Sequence, residues 1–244
     1  MAKVKSNLQT ENSRSQKLKI VLVNGSLHGD SKNSNTLVLL KYAESELLRR
    51  GAEVIVISPE LVKFKLPGAR TEQSIYVLDH EKVIAALEHA DGAIIGTGAH
   101  WGQSSSTLQK FIEDATPTEN GKAWLGQPVG FIISEHSTGG QTVLANLMLT
   151  FSMYGCTIPP QTCMVFSRAG QAAKKTNEDW IDDVWGPDDM EAIAENLLEF
   201  AAAKKGVKLT PWAIDDDPGS FHARWVQVPR TRSASRSRRG DGPQ

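Results

Sequence analysis

Residues 17–24 read KLKIVLVN, a short run of apolar residues that ends in Asn24-Gly25. A continuous apolar run of this length is typical of a strand buried on both faces of a parallel sheet. A polar loop follows it. The spacing of apolar residues between Leu37 and Leu48 then predicts an amphipathic helix that ends at Gly51. This part of the chain is therefore predicted to form a strand, a loop and a helix.

The same alternation continues along the chain. Further strands are predicted at Glu53–Ser58, Asp91–Thr97, Pro128–Ser134 and Thr162–Phe166, and further helices at Asp79–Ala90, Ser105–Ala115, Gln141–Tyr154 and Pro187–Lys205. Residues 60–77 have an irregular, ambiguous pattern. Strands that alternate with helices predict a parallel sheet with helices on both faces. Five such units favour a flavodoxin-like α/β three-layer sandwich with a five-stranded parallel sheet over a TIM barrel, which needs eight.

The pattern divides the chain into four parts. We predict a flexible polar arm at residues 1–17, the α/β domain at 18–206, a C-terminal extension at 207–229 and a disordered tail at 230–244. The tail is basic, with five arginines and one acid, and the extension has no assigned role. Four of the six tryptophans lie beyond residue 166, where packing on the chain's own domain and packing on a neighbouring subunit are equally compatible with the pattern.

Net charge, apolar runs and cysteine spacing argue against several classes of protein. The net charge of −1 gives no reason to expect nucleic acid, and the longest apolar runs are too short to span a membrane. Residues 1–16 lack the apolar segment of a signal peptide. Cys156 and Cys163 do not have the spacing of metal ligands, so we expect no metal site. Buried thiols fit a reducing compartment, and a cytoplasmic location is expected.

Ligands of an open parallel sheet bind at the carboxyl ends of its strands. The loop Asn24–Thr36 leads from the first strand into a helix and is rich in hydroxyl and amide side chains. Such residues, together with a helix N-terminus, are suited to a phosphate group. The loop matches neither GxxxxGK[ST] nor GxGxxG, which disfavours a nucleoside triphosphate. A capped helix after a polar loop, with Ser34 or Asn35 as N-cap, explains it equally well.

Two further loops follow the third and fourth strands. In Gly96–Ser106, His100 and Trp101 stand among small residues, a composition that lets a flat ring approach the backbone. The alternative is a structural tryptophan that fills a gap. The loop Ser134–Gln141 has serine, histidine and acid residues, which invite a hydrolase interpretation, but the chain has no GxSxG motif. A polar rim around a cofactor explains its composition better.

These loops resemble those of the NAD(P)H-dependent FMN reductase family. Gly96–Glu113, GTGAHWGQSSSTLQKFIE, is similar to the family pattern GTPxYWGxxSxxLKxFID, with Gly98 in place of proline and His100 in place of tyrosine. Gly25-Ser26 with Ser34-Asn35-Thr36 is similar to the GSxR…GNT loop, and Ser137–Gln141 to the glycine-rich loop before the fourth helix. The resemblance covers roughly residues 18–166.

The resemblance implies that FMN is bound. Its phosphate would contact the first loop, and its ring would lie between the second and third loops. The implied phosphate residues are Ser26, Ser34, Asn35 and Thr36, with His28 where the family often has arginine. The implied ring residues are Gly98, Ala99, His100, Trp101 and Gly102 on one side and His136, Ser137, Gly139 and Gly140 on the other.

The resemblance also implies an activity. NADH or NADPH would pass a hydride to FMN, and electrons would then reach a quinone, a flavin or another small acceptor, with no side chain required as acid or base. A homodimer or homotetramer is expected from the family. Two alternatives remain open, a flavodoxin-type electron carrier and a non-catalytic interaction protein that retains the fold.

Overall fold

The computed structural model describes residues 17–30, 34–65, 67–68, 70–170, 186–205 and 207–210. The predicted tail, and nearly all of the predicted arm and extension, lie outside these residues. Within them, no helix has both the length and the apolar character needed to cross a membrane.

Eight strands and five helices lie wholly within the described residues, and a further helical segment begins at Arg168. The strands are β1 (Lys19–Asn24), β2 (Glu53–Ile57), β3 (Glu60–Phe64), β4 (Gln73–Val77), β5 (Gly92–His100), β6 (Gln103–Ser104), β7 (Val129–Glu135) and β8 (Cys163–Ser167). The helices are α1 (Asn35–Arg49), α2 (His80–Leu87), α3 (Ser106–Ala115), α4 (Gly140–Met153) and α5 (Met190–Lys204). A 3₁₀ turn at Pro187–Asp189 precedes α5, so the last α-helix begins three residues after the predicted start.

The main sheet has the strand order β2-β1-β5-β7-β8, and these strands are parallel to one another. This is the flavodoxin-like order of a doubly wound sheet, in which strand order reverses between the first two parallel strands and the rest. The predicted fold class is confirmed. The reversal leaves a crevice at the carboxyl ends of β1 and β5.

Two apolar clusters lie on opposite faces of the sheet and create its three layers. Alternating residues of the strands belong to different clusters: Val21 and Ile95 pack with α2, α3 and α4, whereas Leu22 and Ile94 pack with α1 and α5. On the first face, Trp124 is fully buried and packs edge-on against Phe151, with ring centroids 5.6 Å apart. Burial of β1, β5 and β7 on both faces explains their continuous apolar sequences.

Residues 60–77, whose sequence pattern was ambiguous, contain an antiparallel hairpin. Strands β3 and β4 pair over five residues each, from Glu60 opposite Val77 to Phe64 opposite Gln73. The hairpin forms a separate two-stranded sheet. Its side chains are mostly exposed, so it has no buried apolar face that alternation could have revealed.

Candidate functional site

Asn24, at the end of β1, fixes the start of the first loop. Its buried side chain donates from Nδ2 to the carbonyl of Gly29 (3.0 Å) and to Oγ of Ser58 (3.2 Å), and its Oδ1 accepts from the backbone N–H of Ser26 (3.1 Å). An amide can serve as donor and acceptor at once, which suits it to hold a tight loop. The loop therefore leaves the strand in a defined conformation.

Ser34 is the N-cap of α1. Its hydroxyl accepts from the backbone N–H of Leu37 (3.2 Å) and donates to Oγ of Ser26 (2.9 Å). Ser34 is fully buried, so its side chain supports the first loop from behind. The first turn of a capped helix presents backbone N–H groups and a positive dipole end. This end of α1 is therefore suited to an anionic group.

The first loop packs closely against the end of β5. The backbone N–H of Gly25 donates to the carbonyl of Gly96 (2.7 Å), and the hydroxyl of Ser105 donates to the carbonyl of Gly25. A Cβ at Gly25 would lie 2.8 Å from the Gly96 oxygen and 2.9 Å from Cβ of Leu108. A Cβ at Gly96 would lie 2.9 Å from Thr36 Cγ2. Both glycines are needed for this close approach.

The second loop is a two-residue turn between β5 and β6. His100 pairs with Gln103, and the intervening Trp101 and Gly102 have φ values of 53° and 76°. Positive φ at both central positions is the signature of a type I′ hairpin turn. The turn makes β5 longer than the predicted Asp91–Thr97. It also leaves the side chain of Trp101 fully exposed.

The third loop ends at the N-terminus of α4. Oε2 of Glu135 accepts from the backbone N–H of Gly140 at 2.6 Å. Gly139, the N-cap residue, has φ of 95°, and a Cβ there would lie 2.9 Å from the backbone nitrogen of Gly102. The second and third loops are therefore in direct backbone contact. The carboxylate of Glu135 thus places a negative charge at the helix end, on a group that would otherwise be free to bind an anion.

The three loops enclose a cavity of about 320 Å³ at the carboxyl edge of the sheet. We call it the loop cavity. It is lined by Ser26, Leu27, His28, Asn35, Thr36, Gly98, Ala99, His100, Ser134, Glu135, His136 and Arg168. The predicted site residues that do not line it are Ser34, Trp101, Gly102, Ser137, Gly139 and Gly140. Of these, Ser34 and Gly140 do not line the cavity but hydrogen-bond to residues that do, Ser26 and Glu135, and Gly139 packs against the second loop at Gly102.

A larger cavity, of about 720 Å³, lies beside Leu18 and Ala52, which precede β1 and β2. It is therefore at the amino edge of the sheet. Several of its charges are paired: Arg50 contacts both Glu46 and Glu191. We regard it as a structural groove between α1 and α5, since ligands of this fold bind at the opposite edge.

Sequence reasoning missed four residues of the loop cavity: Leu27, Ser134, Glu135 and Arg168. Ser134 and Glu135 end β7, and Arg168 directly follows β8. Position at a strand's carboxyl end is the signal that could have identified them. The backbone N–H of Ala169 donates to the carbonyl of His136 (2.8 Å), which attaches the segment after β8 to the third loop.

The loop cavity has the features that an FMN-sized ligand requires. On one side, Ser26, Asn35 and Thr36 provide hydroxyl and amide groups beside the N-terminus of α1. Gly98 and Ala99 also line the cavity and add little bulk of their own, with the imidazole of His100 beside Gly98. Three histidines line it, yet no group of His, Cys, Asp or Glu in the described residues is arranged to hold a metal ion. The residues present fit a phosphate at one end and a flat polar ring at the other.

The fold and this cavity define a flavodoxin-like α/β protein with a site at the switch in strand order. Residues 18–171 match the model of a family described as NADPH-dependent FMN reductase. The chain belongs to this family and is, in general terms, an FMN-dependent oxidoreductase. The match spans all three loops that form the cavity. No curated protein matches the sequence.

Solved structures with the same fold are distant in sequence. RosB with the bound intermediate 8-demethyl-8-formylriboflavin-5′-phosphate has a TM-score of 0.59 at 15% identity, over 93% of this chain and 99% of RosB. A flavone reductase has a TM-score of 0.52 at 12% identity, and the match covers 79% of this chain and 66% of the reductase. The apo form of an NADH:FMN oxidoreductase, EMOB, has a TM-score of 0.50 at 17% identity. This match covers 77% of this chain and 90% of EMOB. At these identities the likeness establishes the fold alone.

Proposed function

We propose that the protein binds FMN in the loop cavity and uses NADH or NADPH to reduce a small acceptor such as a quinone or a free flavin. The observation that carries the proposal is that the capped N-terminus of α1 borders a cavity that is also lined by Gly98 and Ala99 at the end of β5. The family match to an NADPH-dependent FMN reductase model supports the same activity. The FMN-binding unit is proposed to span residues 18–206.

The residues of the first loop would hold the phosphate. Asn35 and Thr36 begin α1, so their backbone N–H groups and side chains lie at the positive end of the helix dipole. Ser26 is held by Asn24 and Ser34, which fixes its hydroxyl before a ligand arrives. His28 adds an imidazole with N–H donor capacity to this wall. Preorganised donors of this kind reduce the entropy lost on binding.

The remaining walls would hold the ring. Gly98 and Ala99 let the backbone approach a flat surface, whereas His136 and Glu135 border the opposite side. Bound FMN would supply the redox chemistry, as the acceptor of a hydride and the donor of electrons. The protein would orient its reactants and limit access of water. Arg168, exposed at the end of β8, is placed to attract the phosphates of a dinucleotide.

The proposal is tested by an absorbance spectrum of the purified protein, before and after anaerobic addition of NADPH and then of NADH. Flavin bands that bleach with either dinucleotide support the proposal. Bands that survive both would make the protein an electron carrier. If the protein has no bands and gains none with added FMN, the cavity does not bind FMN and the proposal is wrong.

We further propose that the protein self-associates through the exposed face of α4. This helix has no charged residue along its 14 positions, and Leu149 and Met153 on it are exposed. A two-fold interface brings one surface against its own copy, so an uncharged apolar face avoids like-charge repulsion. In multi-angle light scattering, Leu149→Asp should dissociate the oligomer, whereas Leu48→Asp, at an exposed leucine of α1, should not. A monomeric wild type would contradict this.

A cytoplasmic location is also proposed. It is supported by the two free thiols of Cys156 and Cys163, which fit a reducing environment. Mass spectrometry of the protein isolated from cells under alkylating conditions tests it. Recovery of the two thiols in reduced form is expected, and an oxidised pair would contradict it.

A further inference from the structure

A small cavity lies at the amino edge of the sheet, at the opposite end of β7 from the loop cavity. Pro128, which directly precedes β7, lines the small cavity, whereas Glu135, at the end of β7, lines the loop cavity. The length of the strand separates the two by about 20 Å. We call the small one the lysine cavity. Its volume is about 240 Å³, and it is lined by Gly126, Pro128, Thr157, Phe200, Ala203, Lys204, Val207 and Leu209.

The walls of the lysine cavity are mostly apolar, although they lie at the surface. Phe200, Val207 and Leu209 are large apolar residues, and all three are exposed. Leu209 packs directly on Gly126, since a Cβ at that glycine would overlap the leucine side chain. Exposed apolar side chains that converge on one cavity form a surface that a ligand can cover. The cavity is smaller than those that hold drug-sized molecules, so it suits a short ligand.

Lys204 is the charged residue of this lining, and a buried glutamine holds its head group in place. Nζ of Lys204 donates to Oε1 of Gln127 at 2.5 Å. Gln127 is fully buried, and its Nε2 donates to the carbonyl of Ala90 at 3.3 Å. The contact with Ala90 determines which end of the amide faces the lysine, because only the nitrogen can donate. The ammonium group is therefore fixed beside an apolar cavity rather than extended into solvent.

The charge of Lys204 is available to an anion. No carboxylate of the described residues forms an ion pair with it, whereas the adjacent Lys205 pairs with Asp91 at 3.6 Å. Partial burial lowers the pKa of Lys204, although Cys156 and Asp91 oppose the change. An ammonium group that has lost part of its water gains from contact with a bound anion. The groove between α1 and α5 differs in this respect, because Arg50 there already contacts two carboxylates.

We propose that the lysine cavity binds a medium-chain carboxylate, an anion with one charged group and a short aliphatic chain. The carboxylate accepts hydrogen bonds from Nζ of Lys204, which has three N–H groups and uses one for Gln127. The aliphatic chain covers Phe200, Val207 and Leu209. An inorganic anion would leave these side chains exposed, and a neutral apolar molecule would leave the ammonium group unpaired. Since the cofactor crevice of this fold lies at the other edge of the sheet, the inference does not depend on the proposed function.

The first test compares three ligands by isothermal titration into the full-length protein: octanoate, octanamide and acetate. Octanamide keeps the chain of octanoate without its charge, and acetate keeps the charge without the chain. We expect octanoate to bind about tenfold or more tightly than either one, because a hydrogen bond between charged groups and the burial of several methylene groups each contribute at least this ratio. A wild type that binds octanoate no more tightly than octanamide, or that does not bind it, would overturn the inference.

The second test places the site at Lys204. Lys204→Met removes the charge and keeps an unbranched side chain, and we expect it to weaken octanoate binding about tenfold or more. Lys205→Met is the matched control, because Lys205 is the next residue but does not line the cavity. It should leave the octanoate affinity within about twofold of the wild type. Equal affinities in the two variants would contradict binding at this lysine.

A variant of the apolar wall provides a further measurement. Phe200→Glu places a carboxylate beside the proposed aliphatic chain and should also weaken octanoate binding about tenfold or more. Because Phe200 is exposed, this change should not unfold the protein, and thermal unfolding of each ligand-free variant checks this point. Undiminished octanoate binding in Phe200→Glu would overturn the inference. The ligand comparison needs only the wild type, so it decides the question even if Lys204→Met fails to fold.

Discussion

The hydroxyl groups of Thr36 and Ser134 lie 2.8 Å apart and form a hydrogen bond, although 98 residues separate them in the chain. Thr36 is in the first turn of α1, and Ser134 is near the end of β7. Both side chains are buried and line the loop cavity. The first and third loops, which come from strands on either side of β5, are thus joined by one polar contact at the floor of the site.

Replacement of Thr36 by valine should weaken both stability and FMN binding. It removes a buried hydroxyl and leaves Ser134 without its partner, a change that costs about 1–3 kcal/mol. Urea unfolding of the FMN-free protein and titration with FMN measure the two effects. Thr150→Val is the control, because Thr150 donates to a backbone carbonyl of α4 outside the cavity. Loss of FMN affinity in both variants would contradict a local role for Thr36.

Two N-cap variants separate helix stability from ligand binding. Ser34→Ala and Asp79→Ala each remove a side chain that accepts from a backbone N–H, at the starts of α1 and α2. Each should lower the free energy of unfolding by about 1 kcal/mol. Ser34→Ala should also weaken FMN binding about fivefold, since the hydroxyl supports Ser26 and about 1 kcal/mol corresponds to this ratio. Unchanged FMN affinity in Ser34→Ala would show that the support is dispensable.

Alanine at Gly139 should be more disruptive than alanine at Gly102, although both glycines have positive φ. At Gly102 a Cβ meets no atom within 4 Å, so the change has mainly a conformational cost of about 1 kcal/mol. At Gly139 the Cβ would also lie 2.9 Å from the backbone nitrogen of Gly102, which forces the second and third loops apart. Chemical unfolding of the two variants measures the difference. Equal losses would mean that the loops separate without strain.

Stability should fall at alkaline pH partly because of Cys156. Burial raises the pKa of its thiol to about 12, although the nearby Lys204 ammonium opposes the shift. The unfolded thiol has a pKa of about 8.5. The folded state therefore keeps a proton that the unfolded state loses, and this contribution to stability is complete below about pH 8.5 and declines as the pH rises toward 12. Unfolding free energies from pH 8 to 11 should fall less steeply in Cys156→Ala than in the wild type. Parallel profiles would exclude the thiol as the cause.

The sequence predicted those parts of the fold in which burial is strong. The apolar run that ends at Asn24 and the helix that follows it lie within about two residues of their predicted bounds, because each has a face in the core. The hairpin could not be predicted in the same way. Leu61 and Val62 are adjacent and both exposed, so tertiary burial imposes no alternation on β3. Its connection to β4 is also longer than the short turns that identify hairpins.

The sequence was most informative about the cavity lining in the first loop, where the family motif and the start of α1 coincide. Ser26, His28, Asn35 and Thr36 line the cavity as the first loop suggested. Glu135 lies outside the residues that the family resemblance implies, and its contact with the N–H of Gly140 is visible only in the folded chain. That contact depends on the fold of the third loop, which spacing alone does not define. The aromatic ring of Trp101 predicts packing on a ligand, whereas the type I′ turn leaves this side chain exposed.

The contact between Glu135 and the start of α4 makes the two ends of the loop cavity electrostatically different. Both α1 and α4 begin beside the cavity, and two open helix ends would accept a phosphate equally in either place. Because the carboxylate of Glu135 accepts from the first N–H group of α4, we expect an anion to meet attraction at α1 and repulsion at α4. A ligand with a phosphate at one end and a ring at the other can then enter in a single orientation. We therefore expect the acidic residue, which makes no favourable contact with an anion, to set the orientation in which FMN would bind.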